Sequence, residues 1–296
     1  MLRKVIKEEN INHYDLIYFT QDNAKEDVSY FNELTAHAKL AQYLYLRKQK
    51  FDILNHIITY LQINTAIKKT RYTQVLISSF DNLAFKKLTI NNKAAKIISF
   101  DDGTGHISKY SEYLVEKNKA RRALYNFVFG VPASRNFIKR IVRHYSSYRG
   151  FENIMPRHIV HFIDIFETPA ERQPGTLSIK FFIGHPFECY PDTQYVLNLK
   201  KYLEEISCDF YVKHPQESFP LLNTVPILEK NGYIAEDAIL KMCGEARPII
   251  VAGFSSVLFN INAAVADKVM VLRRDVEEDL YYADLGMKAG CKIVYV

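Results

Sequence analysis

The second half of the chain alternates short apolar runs with amphipathic segments. Strands are expected at Ile179–Ile183, Asp209–Lys213, Ile249–Phe254, Lys268–Leu272 and Ile293–Val296. Helical spacing occupies Thr193–Ile206, Ala235–Met242 and Val257–Ala266 between them. Strands separated by helix-length segments cannot close as hairpins, so they build a parallel sheet covered on both faces. The first half reads similarly, with strands at Tyr14–Gln21, Gln74–Ser79 and Ala94–Phe100 and a helix over Phe31–Lys50. Ile163–Ser178 is polar and carries two prolines and a glycine, as a linker does. The expectation is two Rossmann-type α/β domains, 1–165 and 179–296, joined by 166–178 and facing across a cleft.

Composition narrows the classes. At 296 residues the chain is long enough for two cores, and 48% apolar with 24% charged residues describes a globular protein. The best apolar run, Pro248–Ala266, is broken by two serines and two asparagines, which disfavours a membrane span. Met1-Leu2-Arg3-Lys4 leads directly into charged residues, unlike a secretory signal. Cys189, Cys208, Cys243 and Cys291 show no C-x-x-C spacing, which argues against a disulfide scaffold or structural zinc and suits a reducing cytoplasm. Of 39 basic residues, nine fall in Lys117–Arg149, which has no acid; the remainder carries 30 against 33 acidic residues. A nucleic-acid binder usually spreads such charge over a face, so nucleic acid is not an expected partner.

Polar clusters follow four of the expected strands: Asp101-Asp102-Gly103-Thr104-Gly105, Gly184-His185-Pro186, Lys213-His214-Pro215-Gln216-Glu217 and Gly253-Phe254-Ser255-Ser256. Ligands of open α/β sheets bind beyond those strand ends, although any turn after a strand is polar. Asp101 and Asp102 can receive substrate hydroxyls or simply close an Asp-Gly turn. His214, restricted to extended geometry by Pro215, can protonate a leaving phosphate or be a plain turn histidine. Ser255 and Ser256 open a helix, as phosphate donors, as an N-cap, or both. Glu236 and Asp237 suit a first helical turn or a ribose, and Asp192 suits an N-cap as well as a catalytic base. His158 and His161 are only a weak metal signal. No D-x-D motif is present, and no metal site is expected.

FDDGTG at Phe100–Gly105, KHPQE at Lys213–Glu217, YIAEDAIL at Tyr233–Leu240 and GFSS at Gly253–Ser256 stand in the order found in bacterial lipooligosaccharide sialyltransferases. The chain resembles that family, glycosyltransferase family 52, over nearly its whole length. The resemblance implies a GT-B fold, a CMP-sialic acid donor, a galactose-terminated acceptor, and neither metal nor cofactor. It places a carboxylate base upstream of His214, where counting back reaches Asp192. Extra residues (PFECYP, 186–191) make Glu188 a competitor, and Asp102 is the alternative if the base lies in the Asp-Asp-Gly motif as in other sialyltransferases. Asp101, Gly103, Thr104, Gly184, Pro215, Glu236, Asp237, Ser255 and Ser256 become substrate-binding candidates. From the resemblance, the family's usual first strand is expected to be absent before LRKVIKEEN.

The expected reaction is inverting sialyl transfer, α2,3 in linkage. Polysialyl transfer, another CMP-sugar, or a non-catalytic membrane-surface binder on the same fold are alternatives. Phe137, Ile138, Ile141 and Val142 fall at helical spacing beside Arg135, Lys139, Arg140 and Arg143. Such a stripe suits an anionic membrane surface, the domain core, or a second subunit of a homodimer. The expected location is the inner face of the cytoplasmic membrane.

Overall fold

A computed structural model describes residues 1–20, 23–45, 52–66, 71–80, 82–111, 113–114, 119–165, 178–187 and 192–296. The elements run α1 (Leu2–Glu8), β1 (Tyr14–Thr20), α2 (Lys25–Thr35), β2 (Ala38–Tyr45), α3 (Asp52–Ala66), β3 (Gln74–Ile77), α4 (Leu83–Asn91), β4 (Lys96–Phe100), α5 (Lys119–Phe129), α6 (Ser134–Ile138), β5 (Ile141–Ser146) and β6 (Val160–Phe162). They continue with β7 (Ser178–Ile183), α7 (Thr193–Ile206), β8 (Phe210–Val212), α8 (Ala235–Cys243), β9 (Arg247–Ala252), α9 (Ser256–Asn260), β10 (Asp267–Leu272), α10 (Glu277–Lys288) and β11 (Cys291–Tyr295). Two compact units result: Met1–Asn23 with Tyr30–Ile165, and Ala24–Ser29 with Phe166–Val296. The expected 1–165 block is thus interrupted, because Glu26 pairs with Lys230 of the second unit. Residues 166–177 of the expected linker lie outside the described residues.

The first unit carries a four-stranded sheet, β3-β4-β5-β6, and a separate pair, β1-β2. The second carries five strands in the order β11-β10-β9-β7-β8. Among the described residues every strand pairing is parallel, as the alternation requires. On β7 the period-2 pleat sends Phe181 to one core and Phe182 to the other, both fully buried. Burying each ring stabilises the fold by about 1.5–3 kcal/mol. Tyr195, Leu199 and Leu203 of α7, four residues apart, meet Phe182 on its face.

Three expectations are corrected. The helix over Phe31–Lys50 ends at Thr35, and Ala38–Tyr45 is strand β2. Its Tyr43 pairs with Tyr18 of β1 and the rings stack at 5.6 Å, so cross-strand packing overrides the helical spacing. The helix over Val257–Ala266 stops at Asn260. Carbonyls at and beyond its end are taken by side chains: Lys268 Nζ donates to Leu258 O in its last turn and to Ile261 O, and Arg247 donates to Ala263 O and Ala264 O. The stripe Phe137–Val142 is not one helix, because α6 ends at Ile138 and β5 begins at Ile141. Phe137, Ile138 and Ile141 are core, Arg143 pairs with Glu9 at 2.7 Å, and Arg140 donates to Thr89 O. No helix among the described residues is long and apolar enough to cross a membrane.

Candidate functional site

In the second unit the chain passes from β7 outward to β8, then returns to place β9 on the other side of β7. That reversal opens a crevice beyond the carboxyl ends of the strands. Ile183 is level with Val212, and Phe182 with Val251. Gly184, Lys213 and Gly253 therefore leave the sheet at one height, and the three sequence-predicted clusters of this unit converge at one edge.

Gly184 is buried where nothing larger fits. A Cβ there would lie 2.3 Å from Glu217 Oε2 and 2.7 Å from the Tyr211 ring. His214 Nδ1 accepts from Gln216 N–H at 3.1 Å, so the neutral ring carries its proton on Nε2. The His185 ring lies nearly parallel to it at 5.9 Å. Pro215 is exposed at the turn. Asp192 caps α7, its Oδ1 accepting Tyr195 N–H at 2.9 Å. Glu188 lies outside the described residues.

Ser255 caps α9 through Val257 N–H at 3.4 Å, and both Ser255 and Ser256 are half-buried. The five-residue α9 offers little macrodipole, so the hydroxyls and the turn's N–H groups are the donors here. Glu236, at the start of α8, is 5% exposed and accepts from Asn260 Nδ2 at 2.7 Å. Burial pushes its carboxyl above the ordinary value. Asp237 beside it is half-buried.

The Asp-Asp-Gly motif follows β4 in the first unit. Ser99 and His144 are register partners on β4 and β5, which puts their side chains on one face. Ser99 Oγ meets His144 Nδ1 at 2.8 Å, His144 Nε2 meets Asp101 Oδ1 at 3.1 Å, and Asp101 Oδ2 accepts Ser147 N–H at 2.8 Å. A carboxylate oxygen only accepts, so Nε2 carries the proton and Nδ1 accepts from the serine. Ser99 is wholly buried and cannot attack a substrate.

His106, also wholly buried, accepts Asp102 N–H weakly at 3.5 Å. Burial first, and His144 second, push its imidazole down to about 3, against the attraction of Asp101. Asp101, His106 and His144 form the one group among the described residues that brings three potential metal-ligating atoms within 4.8 Å. The hydrogen bonds of Asp101 and His144 account for the arrangement as a buried brace beneath the motif.

Gly103 takes φ +67° and begins a tight turn that includes Thr104. Asp102, taken as a whole residue, is exposed. Crowding by the surrounding chain, then the adjacent Asp101 charge, raises its carboxyl above the ordinary value.

The sequence pattern does not single out Ser99, His106 or His144, nor the structural work of Glu217. His106 was findable four residues after Asp102, whereas Ser99 and His144 meet only through the β4–β5 register.

The sequence pattern of glycosyltransferase family 52 matches residues 13–275. The chain belongs to glycosyltransferase family 52. Its relatives include the N-acetyllactosaminide alpha-2,3-sialyltransferase of Haemophilus influenzae, 24% identical over 76% of this chain and 74% of that protein. The enzyme of the same name from Neisseria meningitidis serogroup A is 21% identical over 77% of this chain, which spans 62% of the relative's length. Among solved structures, the glycotransferase of kitacinnamycin matches 96% of the chain and 86% of its own at TM-score 0.50 and 12% identity. An alpha/beta-galactoside alpha-2,3-sialyltransferase from Photobacterium phosphoreum matches 95% and 98% at TM-score 0.53 and 11% identity. At those identities the likeness establishes the fold, which is GT-B-like. This family 52 member is a glycosyltransferase.

Proposed function

We propose that the enzyme moves sialic acid from CMP-sialic acid to a galactose-terminated glycan with inversion, forming an α2,3 linkage. The observation that carries the reading is the common height of Gly184, Lys213–His214 and Gly253–Ser256 at the strand reversal of a family 52 chain. The two sialyltransferase relatives support the donor class and the linkage.

In this reading the anomeric C–O bond to the CMP phosphate breaks as the acceptor oxygen attacks. Asp192 holds Tyr195 N–H with Oδ1, and its Oδ2 takes the acceptor's hydroxyl proton. His214 gives its Nε2 proton to the departing phosphate oxygen, while Ser255 and Ser256 hold that phosphate. Each proton transfer contributes roughly 10²–10⁴-fold. Glu236 receives a ribose hydroxyl: a buried carboxylate with a neutral amide partner gains from a further donor. One phosphate needs only these donors, so no metal takes part.

A peripheral location is part of the proposal, carried by α5 instead of the buried stripe. Leu124, Phe127 and Val128 of α5 are exposed, Phe127 at 83%, on a helix that also bears Arg121 and Arg122. An apolar face with basic flanks suits an anionic lipid surface. Vesicle sedimentation should show binding that needs anionic lipid, weakens in salt and falls in Phe127→Ser; equal binding to neutral vesicles, or none, removes this part.

CMP release from CMP-sialic acid, with and without lactose, tests the main reading. Lactose-dependent release with a sialylated product supports it. CMP binding without turnover would select the non-catalytic binder, and release that depends on a sialylated acceptor would select the polysialyltransferase.

A further inference from the structure

We infer that Glu217 is a positioning residue, which together with Tyr211 locks the turn after β8 so that His214 presents its Nε2–H. The inference rests on the assignment of His214 as proton donor. Glu217 is 3% exposed, and a carboxylate so buried needs hydrogen-bond donors on both oxygens. Oε1 receives the Tyr211 hydroxyl, and Oε2 receives His214 N–H at 3.2 Å. Glu217 N–H in turn donates to His214 O at 3.1 Å. Residue 217 thereby holds both backbone groups of His214, as a capping box holds a helix start.

The anchor behind the carboxylate is rigid. Tyr211 is wholly buried in β8, and its hydroxyl oxygen also accepts Leu221 N–H at 3.1 Å. Gly184, bonded through its N–H to Val212 O at 2.9 Å, leaves the space that the carboxylate and phenol fill. With the turn closed, Gln216 N–H reaches His214 Nδ1 and selects the Nε2–H tautomer. A glutamine at 217 has one accepting oxygen for two converging donors, and its amide would face one of them.

The test compares Glu217→Gln in two backgrounds, wild type and His214→Ala, by CMP release and CMP binding, with ¹⁵N NMR of the His214 imidazole. Misplacement of a proton donor should lower kcat by roughly 10-fold or more, leaving CMP affinity within about 2-fold. In the His214→Ala background the second change should cost no further kcat, because its effect travels through the imidazole. The ring signals should shift from Nε2–H toward a mixed tautomer, and Tyr211→Phe should move them in the same direction. An equal kcat loss in both backgrounds, an unchanged kcat, or an unchanged tautomer in both variants would overturn the inference. If the wild type releases no CMP, the transferase reading fails on its own, and the tautomer measurement still decides what Glu217 does.

Discussion

Acidification should destabilise the first unit through one side chain, His106. Its ring is fully enclosed by Phe80, Tyr113 and His144, and its imidazole is held at about 3 against an ordinary 6.5. Between those values the unfolded ring binds a proton that the folded ring refuses, so stability falls as pH falls. Linkage makes the loss nearly zero at pH 7, roughly 2 kcal/mol at pH 5, and about 4 kcal/mol near pH 3. His106→Gln removes the titrating group. It will be less stable than wild type at pH 7, because a buried amide replaces the fitted ring, but its pH dependence will be flatter. Urea unfolding of both proteins at pH 7 and pH 5 measures the difference. Wild type should lose roughly 2 kcal/mol more than the variant on acidification. Equal losses would mean that His106 is protonated in the folded protein at pH 5, and the brace as described would be wrong.

His214→Ala should lower kcat by about 10²-fold or more with the fold intact by circular dichroism; near-wild-type turnover removes it from the mechanism. Asp192→Asn should abolish transfer more severely than Asp102→Asn. If the order is reversed and Asp192→Asn costs only ~1 kcal/mol of thermal stability, Asp192 is a cap alone and the base is Asp102. Turnover should persist in excess EDTA, and loss that magnesium or manganese restores would contradict the metal-free assignment.

The strand ends were legible because buried parallel strands announce themselves as short β-branched and aromatic runs. The residues after β4, β7, β8 and β9 were polar where a core could not use them. Legibility failed where tertiary partners decided the outcome. Ala38–Tyr45 has apolar spacing compatible with a helix, and only its parallel pairing with β1 makes it a strand. Ala263 and Ala264 favour a helix locally, yet Arg247, from β9, claims their carbonyls. Helix α10 was unread although Glu277, Glu278 and Asp279 crowd its first turn, because Asp279 is spent on Arg273 and the helix is only weakly patterned. The brace under Asp102 depends on register between β4 and β5, which no local pattern encodes.

A crystal structure with a non-transferable CMP-sialic acid analogue tests the central claim most directly. The phosphate should lie within hydrogen-bond distance of His214 Nε2 and of the Ser255 or Ser256 hydroxyl, with the anomeric carbon facing Asp192 Oδ2. A nucleotide bound instead at the end of β4 beside Asp102, or one whose phosphate contacts neither His214 nor the serines, would contradict the account.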